Sequence, residues 1–184
     1  MKKLLLTSFT VMAMHLGANA QAYDGLEDSK LFLGYVNVGG KSGVEFQFDR
    51  GISDLVSYGA RFTFLIKPDD RENQDNMDSQ FKAFDSMDAA LFFRFHFSEP
   101  LKLSERIDPF LSLDLGLKSI GSNVGIKYNF SETLGLYAMY NYSFSSSFIG
   151  DHKVSGESYD VFEDNVNFFG KKSSVMAGLT INLN

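Results

Sequence analysis

Between Ser131 and Phe148 the chain alternates. Leu134, Leu136, Ala138, Tyr140, Tyr142 and Phe144 are apolar, and Gly135, Tyr137, Met139, Asn141, Ser143 and Ser145 stand between them. A period of two marks a strand whose two faces meet different surroundings. The same period recurs at roughly 30–39, 43–50, 55–67, 87–98, 109–118, 122–130 and 173–183. Helical spacing fits none of these segments, and only the connections leave room for a short helix. The pattern predicts an all-β chain of eight strands.

The faces separate cleanly. One face carries Val44, Phe46, Phe48, Tyr58, Phe62, Phe64, Leu91, Phe93, Phe95, Leu111, Leu113 and Leu115, and continues through Val124, Ile126, Tyr128, Val175 and Leu179. The other carries Glu45, Gln47, Ser57, Arg61, Thr63, Arg94, His96, Ser112, Asp114, Asn123, Lys127, Asn129 and Thr180. In the first strand neither Leu31/Leu33/Tyr35 nor Phe32/Val36/Val38 is polar enough to assign.

Two architectures accommodate this alternation. A soluble barrel or sandwich turns the apolar face inward, whereas an outer-membrane barrel turns it to lipid and the polar face to the lumen. Three features favour the membrane. The polar face is rich in Gly, Ser, Thr and Asn with few charges, which suits a crowded lumen better than a solvated surface. Aromatic residues gather near strand ends, as in Phe46/Phe48, Phe95/Phe97 and Tyr128/Phe130. The connections also alternate in length. "FDRGISDL", "FSEPLKL" and "FSETLGL" are brief, and the long stretches Pro68–Ser86 and Ser146–Lys172 both fall at the opposite end. Short periplasmic turns with longer outer loops are the outer-membrane arrangement. The predicted fold is an eight-stranded antiparallel up-and-down transmembrane β-barrel, with both termini on the periplasmic side.

The N-terminus fits that destination. Lys2 and Lys3 precede an apolar run to about Leu16, and Ala18-Asn19-Ala20 follows, so residues 1–20 read as a signal peptide cleaved after Ala20 and 21–184 as the barrel domain. The apolar run is too short to span a bilayer as a helix. Loss of Lys2 and Lys3 takes the formal charge from -6 to about -8, which argues against nucleic-acid partners. There is no cysteine, hence no disulfide, thiolate ligand or lipid-modified cysteine anchor.

With turn-strand phrases such as "KYNFSETLGLYAMYNYS", the chain resembles the small outer-membrane barrels of Gram-negative bacteria, the OmpX/OmpA-type and OmpW-like eight-stranded families, and most of all the exported barrels of Bacteroidota. The resemblance implies residence in the cell outer membrane, contact with its lipid, assembly by the barrel-insertion machinery, and a monomer. Many such proteins end in an aromatic residue, whereas this sequence ends Leu183-Asn184.

Candidate chemistry is sparse. Glu45, Arg61, Arg94, Asp114 and Lys127 fall one on each of five successive strands, on the lumen parity, with His96 nearby. Eight strands leave an interior that side chains fill, and charges there need partners. Glu45, Arg61, Arg94 and Asp114, in the strand order Glu-Arg-Arg-Asp, are expected with Lys127 to form a paired network that plugs the lumen. A narrow conducting pore is the competing use of the same residues. His152, Ser155, Glu157 and Ser158 in the last long connection are the types a lipid-modifying barrel enzyme uses, but no nucleophile elbow, metal-ligand pair or phosphate loop accompanies them. Asp69, Asp70, Asp75, Asp78, Asp85 and Asp88 lack EF-hand spacing and read as a hydrated acidic loop. The expectation is a non-enzymatic barrel with no metal or cofactor, structural or binding through its two long loops. A soluble, secreted lipocalin-like carrier is the rival.

Overall fold

The computed structural model describes residues 21–26, 28–66, 86–146 and 168–183. Eight strands follow in order: β1 Ser29–Val38, β2 Lys41–Ser53, β3 Val56–Leu65, β4 Met87–His96, β5 Ile107–Gly116, β6 Ser119–Asn129, β7 Leu134–Ser146 and β8 Ser173–Asn182. Each pairs antiparallel with its sequence neighbour, and β1 pairs with β8, so the sheet closes into an up-and-down barrel. Among the described residues no strand edge is left open, which is how such a sheet avoids unpaired backbone.

Local chemistry sets the turns. β1 and β2 are in register from Ser29↔Arg50 to Val38↔Lys41, leaving a two-residue turn at Gly39-Gly40. Both glycines have positive φ, +55° and +90°, the geometry a tight hairpin demands and side chains resist. The turn at Asp54-Leu55, the connection 97–106 and the turn 130–133 lie at the end where β1 begins and β8 ends, here called the terminal end. The connection 97–106 spans ten residues and contains two short turns. The phrase "FSEPLKL" at Phe97–Leu103 reads as a brief connection, but β4 stops at His96 and β5 begins only at Ile107, so the connection is longer than that phrase. The long connections 66–86 and 147–172 leave from the opposite, loop end.

The alternation becomes inside and outside. Glu45, Gln47, Ser57, Arg61, Thr63, Arg94, Ser112, Asp114, Asn123, Lys127 and Thr180 point inward and are buried. Leu91, Phe93, Leu113 and Val124 point outward and are each more than half exposed on the isolated chain. β1 is resolved by its neighbours: Phe32, Val36 and Val38 face inward, and Leu31, Leu33 and Tyr35 face out. The interior apolar residues form one cluster, in which Val36, Val38, Leu65 and Met176 gather with Phe168 and Phe169 from the last part of the long connection before β8. The rest of the lumen is polar.

Candidate functional site

Arg94 organises the middle of the lumen. Its Nη1 lies 2.5 Å from Asp49 Oδ2, Nη2 donates to Gln47 Oε1 at 2.7 Å, and Nε donates to Ser112 Oγ at 3.3 Å. Its guanidinium carbon sits 4.2 Å from the ring centre of Phe110, 4.5 Å from that of Phe92 and 5.0 Å from that of Phe32. A planar cation tolerates this ring-lined site because its fork is satisfied by fixed acceptors while its faces meet π-surfaces. Gln47 then passes the network on, its Nε2 donating to Glu45 Oε1 at 2.5 Å. The Tyr137 hydroxyl also donates to that oxygen, at 3.4 Å.

Toward the loop end, Arg61 Nη1 pairs with Asp114 Oδ2 at 2.5 Å. The same oxygen accepts from Asn123 Nδ2 at 2.7 Å and Asn141 Nδ2 at 3.1 Å. Asp88 accepts from the Lys118 backbone N–H at 3.0 Å and from Ser119 Oγ at 2.8 Å. Phe168 and Phe169 lie buried above this layer, with Lys118 Nζ 5.6 Å from the Phe169 ring. Between Asp88, Arg61 and Phe169 there is room for about one water molecule.

The terminal end holds a different cluster. Asp108 Oδ2 receives Lys127 Nζ at 2.9 Å and His96 Nδ1 at 2.6 Å. His96 Nε2 meets Ser57 Oγ at 2.8 Å. A nitrogen 2.6 Å from a carboxylate bears the proton, so Nδ1–H donates to Asp108 and Nε2 is left to accept from Ser57. Closing this end is the segment before β1. The Tyr23 ring stacks on His96 with centroids 3.5 Å apart and planes 6° from parallel. Its hydroxyl donates to the carbonyls of Ser53 at 2.6 Å and Val56 at 2.8 Å. Burial, reinforced by Asp49, Asp28 and Asp108, raises the Tyr23 phenol well above its ordinary range, so it stays a donor. Ala22 N–H donates to the Glu105 carbonyl at 2.7 Å, Asn129 Nδ2 to the Gln21 carbonyl at 2.6 Å, and Lys30 pairs with Asp28 at 2.8 Å.

All five residues expected in the lumen are inward and buried, and their contacts differ from the strand order. Neighbouring strands set Arg61 beside Glu45 and Arg94 beside Asp114. The structure instead pairs Arg61 with Asp114 and Arg94 with Asp49. Each arginine reaches over the small inward residues of one strand, Ala90 on β4 or Ser57 and Gly59 on β3, to the carboxylate on the strand beyond. Asp49 and Asp108 escape the sequence reading at strand ends: Asp49 falls in the predicted strand 43–50 but also in the turn phrase "FDRGISDL", and Asp108 lies just before the predicted strand 109–118. Extending the parity of Glu45/Gln47 and of Ser112/Asp114 by two or more residues finds both. Nothing periodic marks Tyr23. Asp69, Asp70, Asp75, Asp78 and Asp85, and His152, Ser155, Glu157 and Ser158, lie outside the described residues. Asp88 is described and is a lumen residue rather than part of a surface loop.

The fold and site together define a closed eight-stranded antiparallel barrel with a packed, charged lumen. The chain belongs to a family of unknown function (DUF6646), whose model matches residues 13–170. No curated protein and no solved structure matches it significantly.

Proposed function

We propose that this chain is an integral outer-membrane β-barrel of the Gram-negative envelope, a monomer that crosses the lipid with its eight strands and presents its two long connections outside. One observation carries the reading: the barrel is apolar outside on every strand, while its buried charges and amides are all gathered inside. An outward belt of Leu, Val, Ile and Phe around the whole circumference far exceeds the apolar patch a water-soluble monomer exposes, and lipid removes that cost. The strands, 10–13 residues long, suffice to span a bilayer when tilted. Phe48, Tyr58, Phe95 and Tyr128 stand toward the terminal end, and Tyr35, Phe64, Tyr142 and Phe144 toward the loop end, as two interfacial girdles do.

The likeness to OmpX/OmpA-type and OmpW-like barrels is one of architecture and supports the same reading. Export by a signal peptide cleaved after Ala20 and assembly by the barrel-insertion machinery follow from it. The role of the barrel body is structural, with the lumen closed by its ion pairs and the binding of surface partners left to the loops 67–85 and 147–167. A lipocalin-like carrier needs an apolar interior cavity, whereas Arg94, Lys127 and Asp114 occupy this one. Cell fractionation tests the proposal. The chain is expected in the detergent-extracted outer membrane, and recovery only from soluble periplasm or medium overturns it.

A further inference from the structure

Beyond its envelope role, we propose that Ser57, His96 and Asp108 form a latent acyl-transfer site, gated by Tyr23, that accepts small carboxylic esters from the terminal end of the barrel. The three residues come from β3, β4 and β5 and meet in nucleophile–base–orienter order: Ser57 Oγ to His96 Nε2 at 2.8 Å, and His96 Nδ1 to Asp108 Oδ2 at 2.6 Å. Both distances lie in the range that activates a serine, and the carboxylate fixes the tautomer that leaves Nε2 free to take a proton. All three side chains are buried.

What covers the site is one side chain on a short segment. Tyr23 lies flat on the imidazole and also lines a cavity of about 500 Å³ together with Gln21, Asp24, Asp54, Glu99 and Lys102. Withdrawal of that ring joins the cavity to His96. Lys127 Nζ, 5.1 Å from the Tyr23 ring centre, then supplies a positive charge beside the space the ring leaves. An ester carbonyl in that space is attacked by Ser57 Oγ as its proton passes to His96 Nε2, and the carbonyl oxygen takes up the negative charge. The C–O bond to the alcohol breaks, and His96 returns the proton to the leaving oxygen. Water, deprotonated by His96, releases the acid and restores the Ser57 hydroxyl. Asp108 acts as a positioning residue. The cavity walls are polar, so short esters suit it better than long acyl chains.

The test uses the purified, folded barrel in detergent micelles with a fluorophosphonate probe and p-nitrophenyl acetate. Tyr23→Ala is expected to phosphonylate at Ser57, located by peptide mass spectrometry, at least tenfold faster than wild type, with fluoride as leaving group. Ester turnover should rise in parallel. Ser57→Ala in the Tyr23→Ala background should abolish the adduct, and His96→Gln should slow it at least tenfold. If Tyr23→Ala fails to fold, Tyr23→Phe, which keeps the ring and removes only the hydroxyl bonds that tether it, is read instead, beside wild type after long incubation. A folded gate variant with no Ser57 adduct, or turnover unchanged by Ser57→Ala, overturns the proposal and leaves the three residues as packing.

Discussion

Arg94 Nη1 on β4 reaches across β3 to within 2.5 Å of Asp49 Oδ2 on β2, with both side chains out of water. Such a pair contributes little net stability when intact, because desolvation offsets attraction, but breaking it strands a charge. Asp49 Oδ1 has no hydrogen bond of its own, so the carboxylate depends heavily on Arg94.

Arg94→Ala is therefore expected to destabilise the barrel by about 3–5 kcal/mol, read from urea unfolding in detergent or lipid. Combining it with Asp49→Ala should cost less than the sum of the two single changes, since the double variant leaves no buried charge unpaired. Additive losses would mean that the two groups are not coupled.

Leu113 and Ser112 are neighbours on β5 with opposite fates: Leu113 faces out, and Ser112 donates to Asn123 Oδ1 at 2.6 Å inside. Leu113→Arg should cost about 2–4 kcal/mol in a bilayer if it lies near the midplane, and Ser112→Thr much less. Refolding yield and stability in lipid vesicles check this. A Leu113→Arg barrel as stable in lipid as wild type would put the outward face in water.

Gly51 marks the place where the N-terminal segment crosses β2. A Cβ there would meet the Gly25 carbonyl oxygen and stand 3.0 Å from the Tyr23 hydroxyl. Backbone cannot yield as a flexible side chain can, so Gly51→Ala should dislodge residues 21–28 and cost about 1–3 kcal/mol. Limited proteolysis should then cut that segment while the barrel stays resistant. An unchanged digestion pattern counts against its being seated on β2.

With Arg94, Arg61 and Lys127 each held by carboxylates, and Tyr23 and Phe169 buried at the two ends, the wild type should show no steady conductance in planar bilayers. A constant open channel of ordinary porin size would make the lumen a water path. Arg94→Ala is the variant expected to admit a small current.

Strand existence, strand order and facing were legible in the sequence, because side-chain parity is a local property: Leu113 and Ser112 declare opposite faces without reference to any partner. That Arg61, Arg94 and Lys127 share one interior follows from the same parity. Tertiary structure decided the rest. β1 has two apolar faces, so only closure against β2 and β8 turned Phe32 inward. The ion pairs depend on tilt and register between strands two apart, which no single strand records, and so Arg61 found Asp114 and Arg94 found Asp49. Residues 21–26 carry no period at all. Their seat in the barrel mouth was fixed by long-range contacts, Tyr23 on His96 and Ala22 on Glu105, which exist only once the sheet has closed.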